Sequence, residues 1–215
     1  CSSDLVTVAA AADTNYAVIT SAAATVTATY STVGLKLAFT TAPPASGTTG
    51  AAFGAVVQVQ DAAGNLVPSS ASISITSTPT GISGTTTMVA SGGVATFTNL
   101  IFNAPGTYTL TAASPSITSA TSSPMVISMT TAVSLGVSPS PVTLGRQVTL
   151  TAAVTPAAST GKVMFYDGAT PLGISTIASG TAVLKTSLLG AGSHSLKARY
   201  GGDTTHLASL SSATP

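Results

Sequence analysis

The chain repeats itself once, and that repeat limits what it can fold into more than any other feature. Gly106-Thr-Tyr108-Thr-Leu110-Thr-Ala112 aligns with Gly192-Ser-His194-Ser-Leu196-Lys-Ala198. Upstream, Gly93-Val-Ala95-Thr-Phe97 aligns with Gly180-Thr-Ala182-Val-Leu184. Gly106 to Gly192 is 86 residues and Gly93 to Gly180 is 87. That spacing fits one small β-sandwich, so the 215 residues hold two units of one type in tandem. Within each copy, apolar and polar residues alternate with the period of a strand whose two faces differ.

Strand-like runs bounded by Gly, Pro, Asn and Ser fill the rest of the chain. They are Leu35 to Phe39, Val56 to Gln60, Ser72 to Thr76, Val94 to Thr98, Thr107 to Ala112 and Met125 to Ser128. Val148 to Val154, Lys162 to Tyr166, Ala182 to Thr186 and Ser195 to Tyr200 follow. Asp61-Ala-Ala-Gly64-Asn65 and Asp167-Gly168 read as turns. Ser and Thr supply 68 positions and charged residues only 5%, a poor helical composition and a surface made of hydroxyls and Ala. The fold class expected is all-β: two tandem antiparallel β-sandwich domains, over 35–130 and 131–215, with an N-terminal extension over 1–34. Within that extension, Tyr16 to Thr20 and Thr25 to Tyr30 alternate like further strands.

The same composition excludes several functions. The longest run without a polar side chain is Gly50 to Val57, far short of the 18 or so residues a membrane-spanning helix needs. A net charge of +1 with no basic cluster gives no nucleic-acid surface. So little charge also removes the repulsion that keeps copies apart, which favours association. The halves differ in sign. Residues 1–130 carry Asp4, Asp13, Asp61 and Lys36, while 131–215 carry Arg146, Lys162, Lys185, Lys197 and Arg199 against Asp167 and Asp203. A single Cys allows no intrachain disulfide.

Catalytic and cofactor patterns are missing, and the chain reads as neither an enzyme nor a cofactor protein. There is no Glu to pair with the five scattered Asp as glycosidase carboxyls, and no G-x-S-x-G elbow. No P-loop, dinucleotide fingerprint, zinc spacing or calcium loop occurs. His206 beside Asp203 reads as an exposed loop residue, and His194, aligned with Tyr108, as a strand-corner residue. Lys36, Asn65, Asn99, Asn103 and Asp61 hold the ingredients of a Lys–Asn isopeptide bond, but an ordinary snorkelling Lys36 is the simpler reading. Tyr16, Tyr30 and Tyr166 are the rings a sugar could stack on, and there is no Trp.

Residues 132–211 resemble the bacterial Ig-like domain repeats of secreted and surface proteins. The matching strings are Ser138-Pro139-Ser140-Pro141-Val142, Gly145-Arg-Gln-Val148-Thr-Leu150 and Gly161-Lys-Val163-Met-Phe165-Tyr-Asp167-Gly168. Leu172-Gly173, Gly192-Ser-His194 and Ala198-Arg-Tyr200-Gly-Gly202-Asp203 continue the match. Residues 35–129 resemble a sister type through Leu37-Ala-Phe39-Thr-Thr-Ala-Pro43, Val57-Gln-Val59-Gln-Asp61-Ala-Ala-Gly64-Asn65 and Gly93-Val-Ala95-Thr-Phe97. The resemblance implies structural or adhesive roles outside the cell, with no shared catalytic site.

Against that family the second repeat stops at Pro215, before the usual last strand, while Leu5-Val6-Thr7-Val8 reads like such a strand with no domain before it. The expectation is a head-to-tail polymer of identical subunits by donor-strand exchange. Leu5, Val6, Thr7 and Val8 would be the donor, and Leu207 and Leu210 would mark the acceptor edge. A cell-surface adhesin or carbohydrate-binding module is the alternative. Cys1-Ser2-Ser3-Asp4 resembles the mature start of a lipoprotein, which makes Cys1 a possible lipid anchor at a bacterial surface.

Overall fold

The computed structural model describes residues 34–214, all in strands and their connections, with no helix among them to cross a membrane. Cys1, the Leu5–Val8 run, Tyr16 and Tyr30 lie outside the described residues.

The first half is a ten-stranded sheet folded around one core. On one side β1 (Lys36–Thr41) pairs with β3 (Ala52–Gln60), β3 with β7 (Val94–Phe102), and β7 with β5 (Ile82–Ser83), all antiparallel. On the other, β8 (Gly106–Ser114) lies between β4 (Ser72–Thr78) and β10 (Met125–Ser128). The short β6 (Thr87–Val89) and β2 (Ser46–Thr48) border β4 and β10. β9 (Ile117–Thr121) pairs antiparallel with β8 and parallel with β1, and so links the two sides. The period-two pattern decides what is buried: Val57 and Val59, Ile73 and Ile75, Ala95 and Phe97, and Leu110 and Ala112 all point inward.

The second half packs two sheets around a separate core. β11 (Ala132–Ser138), β12 (Val148–Thr155) and β15 (Thr181–Thr186) form the three-stranded sheet. β14 (Thr170–Thr176), β13 (Lys162–Asp167), β16 (Leu196–Tyr200) and β17 (Ser209–Leu210) form the four-stranded one. Val148, Leu150, Ala152 and Val154 from one sheet meet Val163, Phe165, Leu196, Ala198 and Tyr200 from the other. Each half is a β-sandwich around its own core.

The sequence repeat is matched bond for bond. The N–H of Val59 donates to Gly93 O at 2.8 Å, and the N–H of Val154 donates to Gly180 O at 2.7 Å. Just beyond, Ser91 and Val94 exchange two backbone bonds, as do Ala178 and Thr181. Tyr108 Oη donates to Ala104 O at 3.1 Å, and His194 Nε2 lies 3.1 Å from Gly190 O, each bond reaching four residues back. Tyr108 and His194 therefore occupy the same corner, where a side chain ties the start of a strand to the turn before it.

Candidate functional site

The expected acceptor edge is built differently from the expectation. Residues 209–214 run back antiparallel along β16 and satisfy it within the chain. Ser209 pairs with Tyr200 and Leu210 with Arg199, and Ser211 N donates to Ala198 O at 2.9 Å. Where the ladder breaks, the Ser211 hydroxyl accepts from Ala198 N at 3.0 Å, and Thr214 then exchanges two 2.9 Å bonds with Leu196. An unpaired β16 edge would strand its N–H and C=O groups, and this segment supplies their partners. Leu207 and Leu210, 41% and 57% exposed, face outward. β16 therefore presents no empty groove, and beyond it only the two-residue β17 stands at the sheet edge, since Leu207 is already bonded to Met129 and Thr131.

The loop between β16 and β17 is organised by Asp203. Its Oδ1 accepts from Thr205 N (2.8 Å), Thr205 Oγ1 (3.1 Å) and His206 N (2.7 Å). Its Oδ2 accepts from Thr160 N and Thr160 Oγ1, both at 2.9 Å. His206 Nδ1 sits 2.9 and 3.0 Å from the two oxygens, which assigns its proton to that nitrogen. His206 is buried at 8% exposure, which corrects the reading of an exposed loop residue: the ring turns inward because the carboxylate is there. Partial burial disfavours the Asp203 charge. The hydrogen bonds from Thr160, Thr205 and His206 together outweigh it and hold the pKa far below the usual carboxylate range. Tyr200, fully buried beside this loop, has a hydroxyl without a hydrogen-bond partner among the described residues; burial first and then the Asp203 carboxylate push its pKa up to about 12. With N–H and O–H groups converging on it, Asp203 has few lone pairs left for a cation. The signal was present in Asp203-Thr-Thr-His206, a side-chain acceptor followed at two and three residues by the amides it caps.

At the opposite pole of this sandwich, Asp167 and His194 form the second polar cluster. His194 Nδ1 lies 2.6 Å from Asp167 Oδ2, and Ser195 N donates to Asp167 Oδ1 at 3.1 Å. The hydrogen bond to Asp167, then that to Gly190, raises the His194 pKa, while His194 lowers that of Asp167. A cavity of about 390 Å³ opens here between residues 139–146 and 189–194, with Arg146 and His194 on its wall. Asp167 and His194 lack the third partner that would make a nucleophile: no Ser or Thr hydroxyl is hydrogen-bonded to His194 among the described residues.

The remaining ingredients are engaged elsewhere. Lys36 Nζ donates to Ala62 O at 3.2 Å, and Asn65 Nδ2 donates to Asp61 Oδ2 at 3.0 Å. Asn99 Oδ1 accepts from Thr85 N at 3.0 Å, so the isopeptide ingredients serve turns instead. Tyr166 Oη donates to Met164 Sδ. Among the described residues, no three His, Cys or Asp side chains gather as metal ligands.

Residues 135–215 match the family model described as bacterial Ig-like domain (group 3). No curated protein matches the chain. Among solved structures, adhesin InvE of Yersinia pseudotuberculosis is similar at 16% identity, over 85% of this chain and 59% of that one, with a TM-score of 0.38. The fibronectin(III)-like modules of Clostridium thermocellum CbhA align at 12% identity over 82% of this chain and 93% of that one, with a TM-score of 0.33. Murine CEACAM1b aligns at 12% identity over 83% and 96%, with a TM-score of 0.41. These likenesses concern fold alone.

Proposed function

We propose, from the premise that residues 135–215 are a bacterial Ig-like domain, that this protein is a structural segment of an extracellular or cell-surface protein. Its two domains, 35–130 and 131–215, stand in series to space and present their neighbours, and they transform no substrate. One observation carries this reading. The side chains best suited to chemistry, Asp203 with His206 and Asp167 with His194, are spent on holding loops. The test is binding of the 215-residue chain to a glycan array and a panel of matrix proteins. No saturable binding is expected; saturable binding by the monomer would favour the adhesin reading instead.

A second reading, assembly of identical subunits, has its own support. β17 is two residues long and ends its sheet, and the side chains of Leu210 within it and of Leu207 before it are exposed. Leu5 to Val8 of another copy would pair with the edge of β17 itself, since the backbone of Leu207 is already bonded to Met129 and Thr131, and would set Val6 and Val8 against the exposed leucine side chains. Donor and acceptor would lie at opposite ends, so the contact would propagate. Electron microscopy of the full chain and of a variant lacking residues 1–10 separates the readings. Filaments that need residues 1–10 support assembly, and single particles in both preparations leave the spacer reading alone. Intact mass of the native chain reports whether Cys1 carries lipid.

A further inference from the structure

We infer that the two sandwiches are joined without a free linker, through one peptide unit hydrogen-bonded to both, and that Asp203 is the positioning residue that holds this joint. Ser128 ends β10 beside Thr48 of β2, and its carbonyl accepts from Thr49 N at 3.0 Å. The N–H of Met129, in the same peptide plane, donates to Thr205 O in the second sandwich at 2.7 Å. A peptide unit is planar and rigid, so its carbonyl and amide cannot turn independently. One plane is thus fixed on one side by the first sandwich and on the other by the second.

The following residues tighten the connection. Met129 O accepts from Leu207 N at 2.9 Å, which makes Met129 a parallel bridge partner of His206. Thr131 Oγ1 donates to Leu207 O at 2.8 Å and lies 2.6 Å from Ser209 Oγ. One hydroxyl carries one proton, so Ser209 is the donor in that second bond. β11 begins at Ala132, so of the three residues between β10 and β11 only Thr130 has no bond to the 201–209 segment.

The grip depends on the shape of the loop that supplies Thr205 O and Leu207 N. Asp203 sets that shape: Oδ1 gathers the amides of Thr205 and His206, Asp203 N donates to His206 O at 3.0 Å, and Oδ2 ties the loop to Thr160. Domains in series usually move relative to one another unless a large apolar interface prevents it. Here a hydrogen-bonded strand edge takes that role, whichever reading of function holds.

Residual dipolar couplings of the weakly aligned full chain test the joint. Couplings from β3, β7 and β8 and from β12, β13 and β16 are expected to fit one alignment tensor. Two glycines inserted between Ser128 and Met129 are expected to abolish that common fit while leaving the amide shifts within each sandwich in place. Asp203→Asn, which turns one acceptor oxygen into a donor, is expected to do the same and to speed amide exchange at Met129 and Leu207. Two tensors in the unaltered chain, or one tensor after the glycine insertion, would overturn the joint. If Asp203→Asn leaves both the tensor and those exchange rates unchanged, Asp203 is not its holder.

Discussion

His194 holds one ring nitrogen 2.6 Å from Oδ2 of Asp167 and the other 3.1 Å from the carbonyl oxygen of Gly190. Both partners only accept, so a neutral imidazole, with one proton, can satisfy one of them and leaves a lone pair facing the other. The geometry is that of an imidazolium clamping residues 190–194 to the turn between β13 and β14. A raised His194 pKa means that the clamp's stabilisation is complete below the ordinary histidine value of 6.5 and is lost as pH rises through the folded value. The lowered Asp167 pKa sets the other limit, with loss beginning as pH falls below about 4. Carbon-detected titration of the ring should place His194 above 6.5, and amide exchange at residues 188–195 should accelerate on the alkaline side. His194→Asn should remove that pH dependence. A His194 titrating at or below the ordinary value would rule out the clamp.

Asp203 makes the opposite demand on pH. Its folded pKa is depressed, so its stabilisation is present above the unfolded value of about 4 and drains away as pH falls toward the folded one. Asp203→Ala should cost about 1 to 3 kcal/mol at neutral pH, because it strands the amides of Thr160, Thr205 and His206 in a partly buried loop. Urea denaturation at pH 7 and pH 3 checks both statements. The difference between the two proteins should shrink in acid, and a difference that stays constant would show that the charge contributes nothing.

Tyr108 should behave as a corner residue with no other duty. Tyr108→Phe keeps the ring stacked on Phe102, with centroids 3.9 Å apart, and removes only the bond to Ala104 O. The expected loss is about 1 kcal/mol, the net worth of one neutral hydrogen bond. A loss near zero in equilibrium unfolding would place the anchoring in the aromatic stack alone.

The strands that carry the core were legible because burial on one face forces alternation, as at Val57 and Val59 or Leu110 and Ala112. β5, β6 and β17 were not, because strands of two or three residues exist only where a longer neighbour offers its edge. β9 and β14 lack the signal for a different reason: none of their residues is buried, so no face is forced to be apolar. Pairing along β16 leaves no sequence signal because Ser209 to Thr214 holds one apolar side chain of any size, and its bonds come from backbone and the Ser211 hydroxyl. His206 reads as a solvent-exposed residue because Gly, Asp and Thr surround it in sequence. Only the fold shows that Thr160, 43 residues before Asp203, helps bury the same carboxylate.

Gly93 and Gly180 give the sharpest test of the repeat. Both have left-handed φ, +88° and +76°, and both carbonyls accept the equivalent bond from Val59 or Val154. A Cβ on Gly93 would stand 2.2 Å from Val67 O, whereas one on Gly180 would stand 2.9 Å from Ala157 Cα. The conformation alone costs an L-residue about 1 to 2 kcal/mol. Gly180→Ala should therefore destabilise the second sandwich by about 2 kcal/mol, with a small backbone shift at Ala157 relieving the contact. Gly93→Ala cannot be relieved so easily, since Val67 N donates to Val59 O at 2.9 Å and fixes the segment that carries the clash. Its cost should exceed about 3 kcal/mol and fall on the first sandwich. Because the two cores are separate, residue-resolved amide signals followed through urea should show each variant shifting its own half more than the other. Equal costs, or the larger cost at Gly180, would contradict this account of the two turns.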